Sequence, residues 1–262
     1  MYNPFQLALK YARYYWKSVN LHGLHSPFVY SLAESVIYNY TPFYCYDRIE
    51  VLRYSLEQDQ RRITVEDLGA GSGFGNTREK LVSTIAKRAA KPCKYSQVIF
   101  RLANYFQPQT VVELGTSLGI TTAYMASANS HSQIYSLEGC AQTATLAREN
   151  FDKLGLKNIN LRVGDFKNTL PILLAELKQV DLVFFDGNHR YAPTMDYFRL
   201  FLPLATEDSL FIFDDIYWSK EMEQAWKEIK NHPDVSITVD LFFIGLVFFK
   251  KGKTKEDFVL RF

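Results

Sequence analysis

No stretch of this 262-residue chain is apolar for long enough to form a spanning helix. The strongest run, Leu241 to Phe249, falls far short of the ~20 residues required and reads instead as a buried strand. A secretory leader is not expected, because Lys10, Arg13 and Lys17 interrupt the N-terminal apolar residues. Cysteine is scarce: Cys45, Cys93 and Cys140 are three in number and widely spaced. They suggest neither a disulfide framework nor a zinc site, and fit a reducing cytoplasm. There is no low-complexity linker and no internal repeat. A large charge imbalance is also missing, with a net charge of +2 overall. The balance is uneven, however. Residues 1–109 hold 14 Lys/Arg against 8 Asp/Glu, a net of +6, and residues 110–262 hold 16 against 20, a net of −4. A basic N-terminal part is most simply a solvated surface, and otherwise points to an anionic substrate, a membrane surface or nucleic acid.

What is present is a core-forming composition. Apolar residues make up 47% and charged residues 22%, which argues against global disorder. Residues 1–104 read as mainly helical and irregular. Leu7, Leu9, Tyr11, Tyr14, Tyr15 and Trp16 mark a loosely amphipathic helix, expected to pack on the protein, with peripheral membrane contact as the minor alternative. In His22-Gly-Leu-His25-Ser26-Pro27, Ser26 and Pro27 form a helix start. The two histidines serve in hydrogen bonding or at a substrate mouth. Val65-Glu-Asp-Leu-Gly69-Ala-Gly71-Ser-Gly73 is glycine-rich, but its preceding strand (61–65) is weak. A basic helix from Arg78 to Lys91 is expected after it, rather than a second strand ending in an acid. It reads as a plain turn or a lid.

From Thr110 onward the pattern becomes regular. Thr110 to Leu114 is a short buried strand, Gly115 permits a tight turn, and Gly119 to Ala126 opens a helix. Strand, glycine turn and helix N-terminus together form a mouth for a nucleotide-like ligand. Glu113 is the odd part: a pyrophosphate would disfavour a carboxylate there, whereas a cofactor carrying positive charge would not. Further strands are expected at Gln133–Leu137, Asn158–Val163, Val180–Phe185 and Ser209–Phe213, alternating with helices. One helix spans Ala141–Leu154, one lies around Asn168–Leu177, one begins near Pro193, and one spans Lys220–Lys230. Val235–Asp240 and Phe243–Phe249 are too close for a helical crossover and should pair antiparallel. The expected fold is α/β: a Rossmann-like, mostly parallel seven-stranded sheet ending in an antiparallel hairpin, preceded by a mainly helical extension. A boundary near 105–109 separates residues 1–109 from residues 110–262.

In such a sheet, ligands sit at the carboxyl ends of the strands. Those ends carry Glu113, Glu138, Asp165, Asp186 and the pair Asp214/Asp215. One such acid is an ordinary helix cap; acids at five successive strand ends point to a site.

With these residues in view, 110–250 resembles the class I S-adenosylmethionine-dependent methyltransferases. The motifs are Val-Glu-Leu-Gly-Thr-Ser-Leu-Gly at 112–119, Ser-Leu-Glu at 136–138, Gly-Asp-Phe at 164–166, Leu-Val-Phe-Phe-Asp-Gly-Asn-His at 182–189 and Phe-Ile-Phe-Asp-Asp at 211–215. The resemblance is nearest to small-molecule O-methyltransferases of the catechol and antibiotic sugar-tailoring types. It implies cofactor contacts from Glu113, Gly115, Thr116, Ser117, Gly119 and Thr121. It also implies ribose binding by Glu138 beside Gly139, adenine contacts from Asp165 and Phe166, and Asp186 next to cofactor and substrate. Asp186, Asp214 and Asp215 occupy the positions that hold Mg²⁺ in the metal-dependent branches. Asn188 stands where the sugar type has a second Asp. His189 stands where the catechol type has a basic Lys, and is a candidate general base or orienting residue. Tyr191, Tyr217 and Trp218 could wall a substrate or simply pack. A small-molecule acceptor is the expected partner, and a homodimer is left open. A nicotinamide-dependent oxidoreductase is disfavoured, because 115–119 gives Gly-x-x-x-Gly rather than the three-glycine fingerprint. A nucleic-acid methyltransferase is disfavoured by the lack of an Asn/Asp-Pro-Pro-Tyr motif. A non-catalytic cofactor-binding protein remains as the non-enzyme reading.

Overall fold

The structure is a computed structural model that describes residues 1–67, 76–89 and 91–262. Asn3 starts helix α1 (Pro4–Lys17) through a capping box: its side chain accepts from the Gln6 N–H at 2.8 Å, and Gln6 Oε1 accepts from the Asn3 N–H at 3.1 Å. Pro4 suits the first turn, and Tyr14 is the helix's buried residue. Ser26 and Pro27 start α2 (Pro27–Leu32) as expected, although the Ser26 side chain makes no capping bond. One i→i+5 turn follows over Ala33–Ile37, closed by the Tyr38 N–H on the Ala33 carbonyl at 2.8 Å. Then come α3 (Tyr46–Gln58), β1 (Arg62–Asp67), β2 (Asn76–Leu81), α4 (Val82–Ala89) and α5 (Cys93–Phe106).

The basic helix expected from Arg78 is corrected here. Residues 76–81 are a strand, antiparallel to β1 in the register Arg62↔Leu81 to Asp67↔Asn76, and the helix begins only at Val82. The segment Asn-Thr-Arg-Glu-Lys-Leu shows little apolar alternation; it becomes a strand because β1 supplies its backbone partners. The glycine-rich stretch 69–75, and with it the turn-or-lid reading, lies outside the described residues.

The alternating region continues with β3 (Thr110–Leu114), α6 (Ile120–Ala128), β4 (Gln133–Glu138), α7 (Ala141–Leu154), β5 (Ile159–Val163) and α8 (Phe166–Glu176). It finishes with β6 (Val180–Phe185), α9 (Tyr191–Phe201), β7 (Ala205–Asp214), α10 (Lys220–Asn231), β8 (Ile237–Asp240), β9 (Ile244–Phe248) and β10 (Glu256–Val259). Two compact units divide these elements: Tyr40–Glu176, and Met1–Asn39 together with Leu177–Phe262.

Within Tyr40–Glu176, β3, β4 and β5 run parallel, with Leu114 opposite Leu137 and Glu138 opposite Val163. The shared register brings their carboxyl ends level. A core of Ile49, Leu52, Phe100, Ile120, Tyr124 and Leu146 joins α3, α5, α6 and α7, each of these side chains being at most 6% exposed. Tyr46, Phe100 and Tyr124 meet edge to face, and the Tyr124 hydroxyl donates to Glu50 at 2.7 Å. Burial and that carboxylate push the Tyr124 hydroxyl's pKa far above the ordinary value.

Within the other unit, β6 and β7 are parallel, β9 is antiparallel to both β7 and β8, and β10 is parallel to β8. The closing antiparallel hairpin, β8–β9, is the one expected. The strand at 256–259 is additional to the seven foreseen: Glu-Asp-Phe-Val follows a lysine-rich turn and gains its strand character from pairing with β8. Phe185 and Phe213 stack with centroids 4.3 Å apart on neighbouring strands, which packs the sheet tightly just behind the ends of β6 and β7. Gly245 is required in β9, because a Cβ there would lie 2.6 Å from the Trp226 ring.

Candidate functional site

In the Tyr40–Glu176 unit, Gly115 turns the chain after β3 at φ +105°, a conformation that favours glycine. Its N–H and that of Thr116 donate to the Leu137 carbonyl at 3.0 and 3.2 Å, fixing the turn to the end of β4. Ser117 is held at φ +50°, unusual for a residue with a side chain, and its N–H donates to Glu138 Oε2 at 2.8 Å. The other oxygen of Glu138 accepts from the Cys140 N–H at 2.9 Å. The half-buried Glu138 carboxylate thus bridges the turn after β3 and the start of α7. It lines a cavity of about 230 Å³ with Ser117, Thr143, Val65, Lys80, Thr84, Ile85 and Arg88.

Glu113 lies beneath that turn and is 0% exposed. Its Oε2 accepts from the Thr122 and Ser136 hydroxyls, each at 2.5 Å, and Thr116 Oγ1 is 2.5 Å from Ser136 Oγ. This buried network ties β3, β4 and α6 together and holds the loop from below. Thr121, at 8% exposed, sits in the first turn of α6. Gly119 has φ +80°, and a Cβ there would lie 2.4 Å from the Phe151 ring of α7. Its lack of a side chain is therefore explained by helix packing.

At the end of β5, the Gly164 N–H donates to the Glu138 carbonyl at 2.9 Å, so the strand ends carrying Glu138 and Asp165 adjoin. Asp165 Oδ1 accepts from the Lys167 N–H at 2.9 Å, and Phe166 opens α8. Gly139 and Phe166 are both half-buried.

In the other unit, the parallel register sets Phe185 of β6 opposite Phe213 of β7, so the next residues, Asp186 and Asp214, adjoin. Ligand atoms of Asp186, His189 and Asp214 all lie within 4.8 Å of one another. His189 Nε2 is 3.6 Å from Asp186 Oδ1. Asp214 is 0% exposed, whereas Asp186 and His189 are half-buried. Asp215 has φ +52° and is not in the cluster. Asn188, also at φ +52°, carries a buried Oδ1 without a hydrogen-bond partner among the described residues. Left-handed non-glycine residues thus follow β6 and β7 as well as β3, and such strain recurs at functional turns.

The aromatic candidates are tied elsewhere. The Tyr217 hydroxyl donates to Asp240 at 2.6 Å, and its ring stacks on Phe242 with centroids 5.1 Å apart. The Tyr191 hydroxyl donates to Glu228 at 2.7 Å. Trp218 remains 36% exposed. Neither His22 nor His25 joins the Asp186 cluster. Sequence reasoning missed Lys80 and Arg88 beside Glu138, and the hydroxyls of Thr122 and Ser136 on Glu113. Lys80 sits in the unforeseen strand β2, and hydroxyl partners leave no pattern along the chain.

Comparison with known proteins gives this geometry its context. Residues 112–216 match the family described as a methyltransferase domain. A catechol O-methyltransferase from Niastella koreensis is 30% identical over 118 residues. That match covers 44% of this chain and 52% of the relative, so the chain spans about half the length of the curated protein it matches. Among solved structures, an O-methyltransferase from Bacillus cereus in complex with SAH superposes with a TM-score of 0.58 at 15% identity, covering 83% of this chain and 94% of that one. The O-methyltransferase TomG from Streptomyces achromogenes, involved in tomaymycin synthesis and in complex with SAM, gives 0.52 at 19% identity over 62% and 82%. The α/β methyltransferase fold expected from the sequence is the fold found.

Proposed function

We propose that this chain, whose residues 112–216 are a methyltransferase domain, is an S-adenosylmethionine-dependent O-methyltransferase acting on a small-molecule hydroxyl. The observation that carries the reading is the turn at Gly115–Ser117 bound to the Glu138 carboxylate at the next strand end. The fit of the cofactor rests on the donor set. Gly115 at φ +105° leaves the backbone bare for a close approach. Glu138 lines a cavity, and a carboxylate there is the acceptor that ribose hydroxyls call for. Asp165 and Phe166, on the adjoining strand end, suit the adenine. Thr116, Ser117 and Gly139 line the turn, while Glu113, Gly119 and Thr121 support it from within.

The cofactor would supply a methyl group already activated on a sulfonium. The chain's task is then to position the acceptor oxygen and take its proton. Asp186, His189 and Asp214 suit that task. Two carboxylates and an imidazole within 4.8 Å fit a divalent cation, and the imidazole admits Mn²⁺ as well as Mg²⁺. Such an ion would act as a Lewis acid toward the hydroxyl. Without it, Asp186, which faces Nε2 at 3.6 Å, orients the His189 ring and leaves Nδ1 to take the proton. Asp215, the third acid expected from the sequence, lies one residue beyond the cluster. The choice of an oxygen acceptor is supported by the O-methyltransferases it resembles. We assign acceptor selection to residues 1–109 and the strand-end loops. The free cysteines support a cytoplasmic setting.

The test is calorimetry with S-adenosylmethionine and with NAD, followed by transfer of labelled methyl into a metabolite extract. Binding of the first alone, and a labelled product whose methyl sits on oxygen, is the expected result. Folded protein that binds no S-adenosylmethionine would end this reading.

A further inference from the structure

Helix α1 packs one face on its unit and leaves the opposite face bare. Tyr14 is buried, Leu7 and Lys10 are half-buried, and Lys10 is paired with Glu223 at 2.5 Å. Phe5 is 72% exposed, Leu9 49% and Trp16 89%, and Ala12 between them is exposed too. At 3.6 residues per turn these four positions fall within an arc of about 60°, directly opposite Tyr14. The helix therefore carries a second apolar stripe that the protein itself does not cover, and its most exposed member is a tryptophan.

The charges that α1 itself carries are of one sign. Arg13 and Lys17 are exposed along one flank. On the other flank the Arg261 guanidinium lies over the Tyr15 ring, 4.2 Å from its centroid. Residues 1–33 contain no Asp or Glu; the first acid in the chain is Glu34. A stripe of Phe, Leu and Trp edged by Arg and Lys is the composition of a helix that lies in a membrane interface. The cations attract acidic headgroups, and the indole suits the boundary between headgroup and acyl chain.

We propose that α1 docks this chain on an anionic lipid surface, with Phe5, Leu9 and Trp16 inserted and Arg13 and Lys17 at the headgroups. A second copy of the chain suits the face less well. Two such helices face to face would oppose cations with no acid on either α1 to answer them. The stripe also offers only about 450 Å², against about 800 Å² per partner in a stable interface. No helix among the described residues is long and apolar enough to cross a membrane, so the contact is peripheral. This inference stands apart from the methyltransferase reading.

The test is sedimentation of the full chain with phosphatidylcholine vesicles, with and without phosphatidylserine, at low and high salt. Binding should require phosphatidylserine and fall as salt rises. The double variant Phe5→Glu/Trp16→Glu should lose at least about tenfold in affinity. Arg13→Glu/Lys17→Glu should lose about thirtyfold or more, with thermal unfolding unchanged in both because all four side chains are exposed. Absence of binding to either vesicle overturns the proposal, as does equal binding by the Phe5→Glu/Trp16→Glu variant. Lipid-free self-association that this variant abolishes would assign the face to a second copy instead and overturn it equally.

Discussion

Glu138 is the residue on which the cofactor assignment rests most heavily. Its two oxygens hold the Ser117 and Cys140 N–H groups while it faces a cavity. Glu138→Ala should weaken S-adenosylmethionine binding by about 10- to 100-fold, the worth of charge-assisted hydrogen bonds. Unchanged affinity in calorimetry would remove the ribose role. At the acidic cluster, geometry and sequence order point to different third members. His189 lies with Asp186 and Asp214, and Asp215 does not. Asp214→Asn should reduce Mn²⁺ affinity by at least about tenfold while Asp215→Asn leaves it nearly intact. Equal losses in the two titrations would restore the pair expected from the sequence. The strand-end acids were legible because each follows an apolar run. Asp215's exclusion was not, because it depends on the three-dimensional arrangement of side chains after β6 and β7.

Among the elements, the α6–α7 contact and the β8–β9 corner each make a prediction. Gly119 combines a left-handed φ of +80° with a ring 2.4 Å from where its Cβ would stand. Gly119→Ala should therefore cost about 2–4 kcal/mol in urea unfolding, with part of the loss recovered by Phe151→Leu, which makes room for the methyl. No recovery would mean that the backbone angle alone sets the cost. At the corner, Asp240 is 3% exposed and accepts from Tyr217 and the Phe242 N–H. Burial, its largest influence, raises its pKa despite the opposing pull of those donors. A carboxyl whose folded pKa exceeds the unfolded one favours the fold below the unfolded value, and that contribution is lost as pH rises through the folded one. Asp240→Asn should flatten this fall in stability on the acid side, read as unfolding midpoints across a pH series. An unchanged slope would show that Asp240 does not titrate differently on folding. Strand β3 was readable from Val111, Val112 and Leu114 followed by glycine. Strands β2 and β10 were not, since Asn76–Leu81 and Glu256–Val259 owe their extended form to β1 and β8.

For the molecule as a whole, ligand linkage and thiol chemistry give overall readouts. S-adenosylmethionine at a hundred times its Kd should stabilise the chain by about 2.7 kcal/mol and raise Tm by about 5–10 °C, with NAD giving no shift. A flat Tm under saturating S-adenosylmethionine would contradict the proposed activity. Cys45 and Cys140 are 4% and 3% exposed, and burial pushes the Cys45 thiol up to about 11. A thiol reagent at neutral pH should therefore leave Cys45 and Cys140 unmodified in the native chain, modify Cys93 slowly, and modify all three in urea. Fast native labelling of Cys45 would contradict the packing around α3.

The sequence by itself determined the alternation of strands and helices after Thr110, the closing hairpin, and the acids at the carboxyl ends of the strands. These are local properties: apolar runs, glycine turns and cap residues act over a few neighbours along the chain. Only the tertiary structure decided that Glu113 is buried beneath its loop, that Gly119 serves helix packing, that His189 joins Asp186 and Asp214, and that α1 keeps a bare apolar stripe. Each of these turns on which surfaces meet across strands and helices distant in sequence. Burial, register and left-handed backbone at Ser117, Asn188 and Asp215 are set by those meetings, and residue order alone does not carry them.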